Sequence, residues 1–474
     1  MPKFSVFALI MIFGLSPIFP ASAERLALVG GRLLDGYVGE PLLRSVILIE
    51  DGIIQQIGTV DSLSVPEGYR TVPMWGHDVL PGLWESHAHL QLVGHSDYVH
   101  WQSAYADRFE SEIMPAAAMQ LLLAGVTSAR DLGAPLEASI HIKRAIQAGE
   151  VAGPHLYTSG PFLQHDVDDW QAAYRWAVRS VEEAHEKVDR LHAAGMDIIK
   201  LIEHDEMEFA VAKAIVERAH AHGMVVVAHA HRPNEIRVGL ELGVDNFEHT
   251  GLTTAPGYPA DVLEALKERT ATGIFSGLLF WTPTVEVLWN YENVVRNPTV
   301  LDDPCWHFGL ADDTVADIRA SLAHPGQLSY TQLMPLRRVT LKNKLAQLKE
   351  SGVTLLVGTD SGIPMKFHCS ATWNEMAFWV DEMDWDPYET IRAATYWPAV
   401  MMGVSDRFGT VSEGKVADII AVRGDVLRYI NLLQRVDFVM KEGVIYKENG
   451  QANPAAFPDS AQPFFADEAR RRAN

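Results

Sequence analysis

The sequence predicts an α/β protein: a (β/α)8 barrel joined to a small β-sandwich domain that both chain ends build. Three observations predict it. Short apolar strands alternate with amphipathic helices through the middle of the chain. Two β-rich segments stand at opposite ends. The length of 474 residues exceeds one ordinary domain and suits a barrel plus a smaller unit. With 48% apolar and 21% charged residues the chain can bury a large core, which excludes a disordered or collagen-like chain. The 61 Asp and Glu outweigh 39 Lys and Arg, for a formal net charge of −22. No long basic run is present, so a surface that tracks nucleic-acid phosphates is excluded. The 19 histidines are the first positive sign, because imidazole is the commonest metal ligand.

The elements follow in chain order. Lys3, an uncharged apolar run over residues 4–19 and Ala21-Ser22-Ala23 read as a secretory signal, residues 1–23, cleaved after Ala23. A retained anchor helix is the alternative; Pro17, Pro20 and the lack of following basic residues disfavour it. No second apolar run of about 18 residues follows, so no stable membrane anchor is expected. The expected compartment is periplasmic, with extracellular as the alternative. Residues 24–80 hold the first part of the sandwich, with strands over 27–29, 45–50 and 53–57 and a hairpin turn at Asp51-Gly52. The barrel occupies 81–405. Its clearest stretch, 176–249, reads helix, strand 197–202, helix 208–223, strand 225–228, helix 234–243 and strand 244–247, with glycines at the helix ends. An open doubly wound sheet would also alternate, but would want a glycine-rich phosphate loop after an early strand, and none is present.

Residues 277–335 carry Phe280, Trp281, Trp289, Tyr291, Trp306, Phe308 and Tyr330 and read as an insertion with its own helices ahead of the last barrel strand. It is either a lid or cavity wall, or a packing or dimer surface. Residues 406–450 return to the sandwich, and 451–474 read as a polar, poorly ordered tail. Cys305 and Cys369 read most simply as two free thiols, with pairing in an oxidising compartment left open.

The polar residues then fall into a pattern. His87 and His89 are two apart, so on a strand they share a face. Lys200 lies inside the apolar run 198–202, where an unpaired ammonium is costly unless it snorkels out. His229 and His231 end the next strand, His249 the one after, and Asp360 ends 355–360. Any one of these could be a satisfied core group. Together they occupy the C-terminal strand ends, where barrel enzymes place their chemistry.

These residues carry a resemblance to the amidohydrolase superfamily that spans nearly all of the mature chain. Pro81-Gly82-Leu83-Trp84-Glu85-Ser86-His87-Ala88-His89 resembles the first-strand motif, with Glu85 where Asp is usual. Residues 124–131 resemble the second strand, Gly358-Thr359-Asp360-Ser361-Gly362 the eighth, and 413–418 the return into the sandwich. His229-Ala230-His231 and Glu248-His249-Thr250 resemble the branch of imidazolonepropionase-like proteins and prolidase-type (Xaa-Pro) dipeptidases. The resemblance implies two divalent ions, expected to be zinc. His87, His89 and Asp360 would hold one and His229 and His249 the other. Lys200, carboxylated to a carbamate, would bridge them. Lys200 points away from imidazolonepropionase itself, which lacks the bridging lysine, and from the deaminases. His231 would contact substrate. Arg232 stands where the family usually has glycine and is carried as a further substrate contact. His165 is either a substrate-binding histidine or a surface-loop residue.

The expected chemistry is attack of a hydroxide held between the ions on an amide bond, with Asp360 as proton shuttle. A dipeptide or N-acyl amino acid is the expected substrate. A lactonase or ester hydrolase is the alternative enzyme, and a non-catalytic metal-holding protein the alternative outside enzymes. A homo-oligomer is expected, because such relatives often form multimers.

Overall fold

A computed structural model describes residues 25–466, except for 38, 251–252, 272–277 and 325–331. The expected signal segment and residues 467–474 lie outside the described residues, as does Tyr330.

The N-terminal strands are β1 (Leu26–Leu33), β2 (Leu42–Glu50), β3 (Ile53–Thr59), β4 (Arg70–Pro73) and β5 (His77–Pro81). Period-two alternation organises them. On β2, Ile47 and Ile49 enter the sandwich core, while Val46 and Leu48 pack on the other face against Val60, Leu63 and Tyr69.

The barrel begins with β6 (Leu83–Ala88), α1 (Tyr98–Tyr105) and α2 (Met114–Leu123), then β7 (Val126–Asp131), α3 (Leu136–Gln147) and β8 (His155–Thr158). A short excursion, β9 (Phe162–Gln164) and β10 (Arg175–Ala177), precedes α4 (Val181–Ala193) and β11 (Ile198–Leu201). Next come α5 (Phe209–Ala221), β12 (Val225–His229), α6 (Pro233–Leu242) and β13 (Asn246–Glu248). Then follow α7 (Ala260–Ala271), β14 (Phe280–Thr282), α8 (Val287–Arg296), α9 (Asp312–Ser321), α10 (Met334–Glu350) and β15 (Thr354–Leu355). Helices α11 (Ala371–Asp381), α12 (Pro387–Ala393) and α13 (Tyr396–Met401) complete this part. The helix ends follow local chemistry: Ser180 accepts the Glu183 N–H ahead of α4, and Gly243 takes φ 90° to stop α6.

Strands β6, β7 and β8 pair in parallel, and so do β11 to β15 in succession. The Asp197 N–H donates to Thr158 O at 2.9 Å between the two groups, and Ser86 N–H donates to Val357 O at 3.1 Å. The bridge between Ala88 and Ser361 closes the ring. This is the expected eightfold (TIM) barrel. Residues two apart share a face, so Ile198 and Lys200, Val227 and His229, and Phe280 and Thr282 point inward. Ile198, Val227, Phe280, Leu356 and Met401 fill one end of the interior. Ile199, Leu201, Val226, Phe247 and Trp281 pack outward beneath the helices.

The chain returns through β16 (Ile419–Arg423), β17 (Phe438–Lys441), β18 (Val444–Glu448) and β19 (Gln451–Ala452). β16 pairs with β5, so one nine-stranded sheet unites both chain ends around a shared core. No described helix is long and apolar enough to cross a membrane.

Three expectations need correction. Phe280 and Trp281 belong to β14, a barrel strand, and not to the insertion, whose helical part spans α8 and α9. Tyr291, Trp306 and Phe308 are buried packing residues of that insertion. The tail is not poorly ordered over its described part: β19 extends the sheet, and Phe457, Phe464 and Phe465 pack into the main core, two of them against Phe308. Cys305 and Cys369 are not free thiols; they form a disulfide with Cα atoms 5.9 Å apart, which ties the insertion to the segment before α11.

Candidate active site

The inner faces of the barrel strands converge on one polar cluster at their C-terminal ends. β6 projects Glu85 and His87, with His89 next along the same face, and all three side chains are buried. The His89 Nε2 stands 3.0 Å from Asp360 Oδ1 and the His87 Nε2 stands 3.4 Å from it. Across the cavity, His229 Nδ1 and His249 Nε2 are 2.8 Å apart, and His231 stacks on His249 with ring centroids at 4.5 Å. The rings of His87 and His249 lie 5.0 Å apart, and Asp360 Oδ2 is 4.0 Å from His249 Nδ1. The donor atoms therefore form two triads, His87, His89 and Asp360, and His229, His231 and His249, side by side.

Backbone strain helps to aim these groups. His249 and Asp360 both adopt left-handed conformations, with φ 73° and 63°, although neither is glycine. Gly358 precedes Asp360 where a Cβ would collide with Thr282 and the His87 backbone, so the last strand can come this close to β6 only as glycine.

Lys200 is fully buried on the inner face of β11, and its Nζ has no hydrogen-bond partner among the described residues. Burial, partly offset by Glu248 and Asp360, pulls the amine down to about 8. Burial and then the Lys200 charge lower His87 to about 4, and the same causes hold His229 well below the ordinary value. His249 is lowered by burial and by the crowd of imidazoles, and His231 falls to about 4 chiefly through burial. Neutral imidazoles are the form that offers lone pairs to a cation. Burial would raise Asp360, but His87, His89 and Lys366 overcome it and hold the carboxylate ionised.

This donor set suits divalent ions. The buried His87 Nε2, His89 Nδ1, His231 Nδ1 and Lys200 Nζ have no hydrogen-bond partner among the described residues, and one carboxylate stands among five imidazoles. A ring of neutral nitrogen donors with an ionised carboxylate satisfies a cation better than it satisfies itself.

Several supporting residues escaped the sequence reading. Glu248 Oε2 accepts from His87 Nδ1 at 2.8 Å, which leaves Nε2 free to face Asp360. Arg130, wholly buried, donates to Glu248 Oε1 at 3.0 Å and to Ser86 O at 2.5 Å. Burial would raise Glu248, yet Arg130, His87 and Lys200 together hold it at about 2. Glu85 accepts from the backbone N–H groups of His87 and Thr359 and from the hydroxyls of Thr359 and Thr372, so it locks β6 to the last strand. Thr284 bonds His249 Nδ1 at 2.9 Å. Arg337 on α10 is near enough to depress His231 further. The alternation that marked His249 also put Glu248 on the neighbouring position of a buried strand, and a buried charge there was the available signal.

Two further expected substrate contacts lie in loops that follow strands. Arg232 precedes α6 and pairs with Asp205, Glu206 and Glu235, so its charge is committed to that surface cluster. His165 is half-exposed beside Asp166, three residues beyond Phe162, whose ring meets His89 edge-on at 5.7 Å.

Comparison with known proteins agrees with this geometry. The amidohydrolase family pattern matches residues 79–446. Ochratoxinase of Aspergillus niger is 25% identical over 486 residues, covering 92% of this chain and 90% of its own. The crystal structure of a Bifidobacterium longum protein assigned as a prolidase superposes with a TM-score of 0.68 at 25% identity, over 94% of this chain and 99% of the other. A Xaa-Pro dipeptidase with methionine bound in its active site superposes with a TM-score of 0.67 at 22% identity, over 90% of this chain and 100% of the other. The chain belongs to the amidohydrolase family, in its prolidase-like branch, and is a metal-dependent hydrolase of C–N bonds.

Proposed function

We propose that the protein is a binuclear hydrolase that cleaves the amide bond of a dipeptide or an N-acyl amino acid. The observation that carries this reading is Lys200, a buried amine without a hydrogen-bond partner among the described residues, set among five imidazoles and Asp360 at the strand ends. His87, His89 and Asp360 would hold one divalent ion, zinc or similar, and His229 and His249 the other. The neutral amine of Lys200 would add carbon dioxide with loss of a proton, and the resulting carbamate would bridge both. That change replaces an unpaired buried cation by an anionic ligand. Two bound ions would supply Lewis acidity toward the scissile carbonyl and an acidified water as nucleophile. Asp360 would take a proton from that water on its carboxylate and deliver it to the leaving amine. His231, stacked on His249, would face the substrate. Arg337 offers a cation for the free carboxylate that dipeptides and N-acyl amino acids share. The relatives named prolidase and ochratoxinase support a small-molecule substrate.

The Cys305–Cys369 disulfide supports an oxidising compartment, in keeping with the signal segment and a periplasmic location.

The test is turnover by the zinc-loaded enzyme of a dipeptide and N-acyl amino acid library, with lactones and aryl esters as controls. Hydrolysis of members of the amide library is expected. Turnover of lactones or esters alone would sink the amidase reading in favour of the lactonase or esterase one.

A further inference from the structure

A third group of metal-type donors lies outside the barrel centre. His95, in the loop that follows β6, His100 on α1 and Asp317 on α9 bring their side-chain donors within 4.8 Å of one another. The His100 Nε2 is 2.8 Å from Asp317 Oδ2, and the His95 Nε2 is 3.7 Å from the same oxygen, beyond hydrogen-bond reach. His95 is only 3% exposed at its side chain, yet its Nε2 has no hydrogen-bond partner among the described residues. Its other nitrogen, Nδ1, accepts the Asp97 backbone N–H at 3.0 Å and also lies 3.1 Å from the Asp97 carbonyl oxygen. An ion at Nε2 would require the ring to carry its proton on Nδ1, which then faces the Asp97 carbonyl and gives up the Asp97 N–H. The two imidazole rings lie with centroids 5.3 Å apart and planes inclined by 30°. Asp317 also accepts the Tyr105 hydroxyl at 2.9 Å, and this bond fixes the carboxylate between the rings.

The position of this group is informative. The loop after β6 begins at His89, two residues beyond His87 on the strand. Asp317 belongs to the insertion. Beside the cluster, Ser96 N–H donates to Ser321 Oγ at 3.1 Å and Ser96 Oγ–H donates to Ser321 O at 2.7 Å. The same two segments are thus already pinned by a pair of hydrogen bonds, and the histidine–aspartate group is the second point of attachment.

We propose that His95, His100 and Asp317 form a peripheral zinc-type site that clasps the insertion to the loop that follows His87 and His89. Two imidazoles and one carboxylate supply three ligands of a four-coordinate divalent ion. Water would complete the shell, since His100 is half-exposed. The site is structural: it adds a cross-link between α9 and the barrel mouth, and it is independent of the reading given to Lys200.

The test is zinc titration of the full-length, metal-stripped protein, wild type against His100→Ala and Asp317→Asn, followed by calorimetry and elemental analysis. His100→Ala removes a half-exposed ring, so its fold should survive. Wild type is expected to take up one more zinc per chain than either variant at micromolar zinc, and to gain more thermal stability on zinc addition than they do. In a Lys200→Ala background this peripheral equivalent should remain. An anomalous zinc peak should lie about 2.0–2.2 Å from the two Nε2 atoms and an Asp317 oxygen. Equal zinc uptake by wild type and both variants, or uptake that needs millimolar zinc, would overturn the proposal.

Discussion

Glu248 governs how His87 presents itself. Its carboxylate accepts from Nδ1, which directs the opposite nitrogen at Asp360, and the wholly buried Arg130 holds Glu248 in place. Removing one member of such a buried pair leaves the other charge uncompensated, so this pair is a rigid part of the site. Asp360 differs in kind: it is aimed by a strained left-handed backbone and stays ionised beside His87 and His89. Asp360→Asn is expected to lower kcat by about 10² to 10⁴, the usual contribution of a positioned proton carrier, while part of the metal stays bound. Steady-state kinetics with elemental analysis checks this, and an unimpaired kcat would remove Asp360 from the proton path. His87 with His89 and His229 with His231 were legible because residues two apart on a strand share a face, and Lys200, His249 and Asp360 because each polar side chain stands in or at the end of an apolar strand. Arg130 and Glu248 stood in the same motifs, but their pairing crosses 118 positions, and one sequence carries no sign of that.

At the scale of elements, short strands place the chemistry and longer helices hold them. His220 ends α5 and its Nε2 lies 2.9 Å from Asp245 Oδ2, while the same oxygen accepts the Val226 N–H of β12. The hydrogen bond to Asp245 raises His220 above its ordinary value of 6.5, against the opposing effect of burial. Stability from this contact is therefore fully present below about pH 6.5 and is lost as pH rises through the raised value. Because His220 is partly exposed, His220→Ala is expected to cost only about 0.5–1 kcal/mol near pH 5.5 and nothing near pH 9. Urea unfolding at the two pH values measures it, and a pH-independent difference would contradict the assignment. The helix–strand alternation over residues 176–249 was legible because each helix is amphipathic and ends at glycine. β14 was not: three residues, two of them aromatic, merge with the aromatic stretch that follows, and only pairing with β13 and β15 reveals a strand.

At the scale of the molecule, two distant chain ends form one sheet and an insertion is fastened over the barrel. The division into sandwich, barrel and return could be read from strand composition alone. The closing of the tail onto Phe308 could not, because Phe457, Phe464 and Phe465 lie in a polar stretch without periodicity. Nor could the disulfide, since cysteine spacing does not report spatial distance. The disulfide closes a loop of 64 residues, for which chain entropy allows up to about 4 kcal/mol of stabilisation. The double variant Cys305→Ser/Cys369→Ser is expected to lose about 2–4 kcal/mol in denaturant unfolding while keeping its metal content. Unchanged stability would mean that the insertion does not depend on the disulfide.

The central claim is that Lys200 is the shared ligand of two ions rather than a tolerated buried amine. Elemental analysis of wild type and Lys200→Ala, purified side by side and assayed on the same amide substrate, tests it most directly. Lys200→Ala is expected to carry two fewer divalent ions per chain and to lose turnover. A variant that keeps both ions and full activity would contradict the account.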